Sequence, residues 1–126
     1  LALNLKGSGE NSATVDILQL SLRDGSGSIT KAGAGVSIVL SHQGITRHYQ
    51  DSLPLGILKD IKPVVCNLQM TAGDTVILMS DGAGVISGNI KNMHTADCHT
   101  IANAVMEENK AQDDKTVIVL KLKINI

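Results

Sequence analysis

Residues 76–85 read V-I-L-M-S-D-G-A-G-V. Four apolar residues run directly into Ser80, Asp81 and Gly82. An apolar run of this length bounded by turn residues reads as a buried strand, here residues 75–79, after the turn Thr71-Ala72-Gly73-Asp74. Asp81 therefore sits just past a strand's C-terminal end. A carboxylate pair, Asp113-Asp114, stands just before another apolar run, T-V-I-V-L-K-L-K-I at 116–124, which reads as the last strand. If the two strands are antiparallel neighbours, Asp81 and Asp113 project from the same sheet edge. Two carboxylates converging there repel each other unless a cation lies between them. A hard divalent ion suits such oxygen donors, and Gly82 lets the backbone come close to it. The plainer alternative is that Asp-Gly and Asp-Asp are two solvated turns.

Working outward, residues 14–22 (T-V-D-I-L-Q-L-S-L) nearly alternate and read as a strand. Asp24-Gly25-Ser26-Gly27 makes a turn into extended residues 28–32, a hairpin. Gly33 and Gly35 interrupt the chain. Residues 36–41 form a third strand, turned by His42-Gln43-Gly44 into residues 45–50. Short loops predict that these four strands form one antiparallel meander. Leu53-Pro54-Leu55-Gly56-Ile57 breaks the pattern before a strand at 64–70. Gly82, Gly84 and Gly88 predict irregular chain. Thr95 reads as the N-cap of a helix over about 96–109, with Cys98, Ile101, Ala102 and Val105 on one apolar face. The fold class is α+β: an antiparallel sheet sandwich flanked by helices.

Composition narrows the function. Of 126 residues, 43% are apolar and 18% charged, with net charge −1. A chain of this size fits one domain and buries about two-thirds of its surface. Tyr49 is the only aromatic residue, so Leu, Ile, Val, Met and Ala must build the core, with Met70, Met79, Met93 and Met106 as gap-fillers. No basic run suggests nucleic acid. No apolar stretch reaches the roughly 20 residues of a membrane helix, and no secretion signal is evident. Two distant cysteines, Cys66 and Cys98, point to a reducing compartment, and hence the cytoplasm. The opening pattern Leu1, Leu3, Leu5 starts inside apolar sequence and suggests a piece of something longer.

Rival motifs are weaker. Gly82-Ala83-Gly84-Val85-Ile86-Ser87 approaches a dinucleotide fingerprint, but Ser87 replaces the last small residue and Asp81 would repel a pyrophosphate. Gly33-Ala34-Gly35 leads into a strand, unlike a phosphate loop. His94, Cys98 and His99 could hold zinc, although Cys98 also completes the apolar helix face. His42 and His48 flank a hairpin and read as solvated.

The ordered set of stretches carries a resemblance. S-A-T-V-D-I-L-Q-L-S-L-R-D-G at 12–25, K-A-G-A at 31–34, S-L-P-L-G-I at 52–57, A-G-D-T-V-I-L-M-S-D-G at 72–82 and D-D-K-T-V-I-V at 113–119 together resemble the second half of the metal-dependent (type 2C) serine/threonine phosphatases. The stage II sporulation protein E branch is the nearer match. The resemblance implies that Asp81 and Asp113 bind Mn²⁺ or Mg²⁺ in a two-metal centre, and that Asp114 is not a direct ligand. It also implies hydrolysis by a metal-activated water, without a phosphoenzyme. The implied substrate is a phosphorylated regulatory protein such as an anti-sigma-factor antagonist. Lys115 departs from the family pattern, placing a positive charge beside the site. The larger departure concerns the family's early Asp-Gly motif, whose aspartate bridges both metals. Asp24-Gly25 matches a hairpin of the family's middle, and Asp16 matches a strand aspartate. Residues 1–126 thus read as a single partial domain, its N-terminal part lacking. Alone it is expected to be inactive, and to need the missing half or a homodimer partner. The alternative is a non-catalytic phosphatase-like interaction module.

Overall fold

The computed structural model describes residues 14–33, 35–48, 63–80, 88–108 and 115–123. They fall into two compact units, the first drawn from residues 1–34 and 50–69, the second from 35–49 and 70–126.

In the first unit β1 (Val15–Leu20), β2 (Ser26–Ala32) and β5 (Val64–Gln69) form an antiparallel sheet in the order β1-β2-β5. The β1–β2 hairpin closes through Gly25, whose φ of 77° lies in the left-handed region. The Ser21 amide donates to the Ser26 carbonyl at 2.8 Å and the Gly25 amide to the Ser21 carbonyl at 2.9 Å. Gly27 pairs with Leu20, and a Cβ there would collide with the Gln19 carbonyl oxygen. Ile29 is fully buried, between Leu18 and Cys66 in the register.

The second unit holds β3 (Ser37–Ser41), β4 (Gly44–His48), β6 (Thr75–Met79) and β7 (Val117–Lys121) in the order β4-β3-β6-β7, all antiparallel. Period-two alternation sends Ile38, Leu40, Ile77 and Met79 to one face. Helix α1 (Cys98–Glu108) packs Ile101 and Val105 onto that face, and Ile90 of a 3-10 helix (Gly88–Met93) joins the same cluster.

Four expectations are corrected. The first four strands do not form one meander: β2 continues to β5 and β3 to β6, in separate sheets. β2 ends at Ala32, and Gly33 follows in the left-handed region at φ 65°, a conformation glycine adopts readily. The helix starts later, and its cap is Asp97 rather than Thr95: Asp97 Oδ1 accepts from the Thr100 amide at 2.7 Å. A 3-10 helix occupies part of the stretch expected to be irregular, because Ile90 and Met93, three residues apart, both reach the core. Met106 is 40% exposed and fills no core gap, whereas Met70 and Met79 are buried.

Candidate metal centre

The stems of the two carboxylate motifs meet. β6 and β7 are antiparallel neighbours, with Met79 opposite Val117. One step further, the Ser80 amide donates to the Thr116 carbonyl at 2.9 Å, and the Thr116 amide donates to Ser80 Oγ at 2.9 Å. The serine of S-D-G and the threonine of D-D-K-T therefore clasp each other beyond the strand ends. The chain leaves toward Asp81 and arrives from Asp113 at one end of one sheet. Asp81, Asp113 and Asp114 themselves lie outside the described residues, as do residues 82–87 of the dinucleotide-like stretch. Lys115, next to the clasp, is half-buried.

The early aspartates have other work. Asp24 is a turn residue, with Oδ1 accepting from the Ser26 amide at 3.0 Å and from the Ser26 hydroxyl at 2.7 Å. Those bonds, the hydroxyl's first, hold its carboxyl below its ordinary pKa. Asp16 faces Lys31 across the hairpin register, Oδ2 lying 3.0 Å from Nζ, and the lysine side chain is 1% exposed. A lysine so buried needs such a partner. Sequence reading gave Lys31 no role; the cross-strand pairing of two opposite charges on an inward face was the available signal. Asp74 is likewise structural, accepting from the Thr71 amide at 2.9 Å within its turn.

The zinc alternative finds no support. Among the described residues no group of three or more His, Cys, Asp or Glu is placed to hold a metal. No disulfide joins Cys66 to Cys98. His42 is exposed and His48 half-buried. Among the described residues no helix is long and apolar enough to cross a membrane.

The fold is that of type 2C protein phosphatase domains. The phosphatase domain of SpoIIE from Bacillus subtilis, presoaked with Mn, aligns with TM-score 0.68 and 27% identity over 90% of this chain and 58% of that one. The catalytic domain of the serine/threonine protein phosphatase PstP in complex with 2 manganese ions aligns with TM-score 0.68 over 88% of this chain and 58% of that one. At 14% identity that second likeness shows the fold alone.

The sequence is more specific. The family model for stage II sporulation protein E matches residues 1–123, and the chain belongs to that family. The stage II sporulation protein E of Priestia megaterium is 29% identical over 140 residues, an alignment spanning 98% of this chain but 24% of the relative.

Proposed function

We propose that this chain supplies two metal carboxylates, Asp81 and Asp113, to the centre of a metal-dependent phosphoserine/phosphothreonine protein phosphatase. The observation carrying this reading is the Ser80–Thr116 clasp, which fastens together the two motif stems. Carboxylate oxygens are hard donors and fit Mn²⁺ or Mg²⁺. When bound, such ions lower the pKa of a water and offset charge on phosphoryl oxygens. The chain's own part is to bring two carboxylates to one sheet end and hold the stems in register. Asp16 and Asp24 are engaged elsewhere, so the bridging carboxylate of the family pattern comes from another segment. The substrate is a phosphorylated regulatory protein in sporulation and sigma-factor control, and the setting is cytoplasmic.

A paramagnetic titration tests this. Mn²⁺ added to the labelled chain should broaden the amide signals of Ser80, Lys115 and Thr116 before those of the 42–44 turn. Asp81→Asn and Asp113→Asn should each suppress that broadening. The chain alone should hydrolyse p-nitrophenyl phosphate negligibly with Mn²⁺. Robust turnover that Asp81→Asn abolishes would show a complete centre within this chain. No selective broadening at Ser80 and Thr116 would leave the non-catalytic module as the better reading.

A further inference from the structure

We infer that the cleft between the β3–β4 turn and the 3-10 helix is a binding site for a phosphate-type oxyanion, separate from the Asp81/Asp113 edge. It is open to solvent, with a volume of about 470 Å³. His42 and Gln43 of the turn form one wall; Lys91, Asn92 and His94 form the other. Every one of these side chains can donate a hydrogen bond, and Lys91 contributes an ammonium group. Among the described residues no carboxylate lines the cleft. A cation would meet only two imidazoles, with no third His, Cys, Asp or Glu among the described residues to complete its shell.

The walls are fixed by the fold. Ile90 is buried and Met93 packs against the core, so Lys91 and Asn92 between them are left at the surface. The loop after this helix is pinned from beneath. Lys121 Nζ donates to the His94 carbonyl at 3.0 Å and also to the Ala96 carbonyl, while the Ala96 amide donates to the Met93 carbonyl at 2.9 Å. The Lys121 ammonium is thus taken up by backbone carbonyls, whereas Lys91 has no ion-pair partner among the described residues. On the other wall, Ser41 Oγ accepts from the Gln43 amide at 3.2 Å, and Gly44 turns the chain at φ 131°. The nearby acid, Asp97, is engaged as the α1 cap.

Register places this cleft away from the candidate metal centre. Leu40 pairs with Thr75, and Thr75 with Lys121, so the turn lies at the start of β6. Met79 and Ser80, which lead into Asp81, stand at the other end of β6, a strand length away, on the order of 15 Å at about 3.3 Å per residue.

The test is a titration of the labelled full chain with inorganic phosphate at constant ionic strength, with EDTA present and chloride as reference. A parallel arm uses phosphoserine. Saturable shifts are expected at the Gly44 and Asn92 amides and at the His42 and His94 rings. Lys91→Ala should weaken binding about tenfold, the usual scale for one charged hydrogen bond, and Lys91→Arg should restore most of it. Asp81→Asn should leave the affinity unchanged, which separates this site from the metal edge. Tighter binding of phosphoserine assigns the cleft to phosphoryl esters; equal or weaker binding assigns it to the free ion. Shifts that do not saturate, that chloride reproduces, or that survive both Lys91→Ala and His94→Ala overturn the site. So does loss of binding in Asp81→Asn.

Discussion

Asp97 shows how one side chain sets an element boundary. Its carboxylate accepts from the Thr100 amide, satisfying a helix N-terminal donor that has no partner within the helix. That bond, then the Thr100 hydroxyl and more weakly His99 and Lys121, hold its pKa below the usual 3.8. A depressed carboxylate stabilises the fold fully above its unfolded pKa, and the gain disappears as pH falls through the folded value. Asp97→Ala should therefore lower the thermal midpoint at pH 7, and the gap from the parent should close in acid. Asp97→Asn, which keeps a capping oxygen, should lose less at pH 7. A parent–alanine gap that persists undiminished below pH 3 would place the effect elsewhere. Thr95 carries the same kind of capping oxygen as Asp97, so local sequence left two candidate caps. Core contacts of Met93 and Ala96 decided which one begins the helix.

At the scale of elements, β6 is the strand on which the second unit depends. It lies between β3 and β7, and Thr75, Val76, Ile77 and Met79 are buried. Ile77 is fully buried in the cluster with Ile38 and Ile101. Ile77→Ala should cost about 2–5 kcal/mol, by lost transfer energy and the cavity left behind. Ile118 on β7 points to the opposite face and is 56% exposed. Ile118→Ala should change stability by less than about 0.5 kcal/mol. Urea unfolding of the two variants checks the contrast, and comparable losses would mean that Ile118 is covered in solution. The strand over 75–79 was readable to the residue, since a turn, an apolar run and S-D-G bound it on both sides. The partners of β2 and β3 were not readable. Hairpin signals specify pairing between neighbours, whereas the β2–β5 and β3–β6 pairs join segments far apart in sequence.

For the whole molecule, exposed apolar surface is the notable feature. Ile17 and Val65 are 48% and 58% exposed, and both pair with Thr30, one from each side, so they share one face of the first sheet. Ile118 and Leu120 form a second exposed pair, on β7. Apolar patches and open strand edges favour association with another chain. Light scattering across a concentration series should show a dimer or larger species growing with concentration, with a thermal midpoint that depends on concentration. A compact monomer with one sharp transition at every concentration would mean the chain needs no covering partner.

The sequence by itself determined the strands, the helix, and the family pattern that joins the S-D-G and D-D-K-T motifs. Each is local: alternation, turn residues and ordered motifs act over a few positions. It also showed Asp24 as a turn residue, which its bonds to Ser26 bear out. Only the tertiary structure decided that β6 and β7 are neighbours, that Ser80 and Thr116 clasp, and that Lys31 is buried against Asp16. It alone set Lys91 and His94 across a cleft from His42. These are pairings at a distance along the chain. Burial of the α1 face and the sheet register fix them, and a local pattern cannot choose between partners that present the same apolar face.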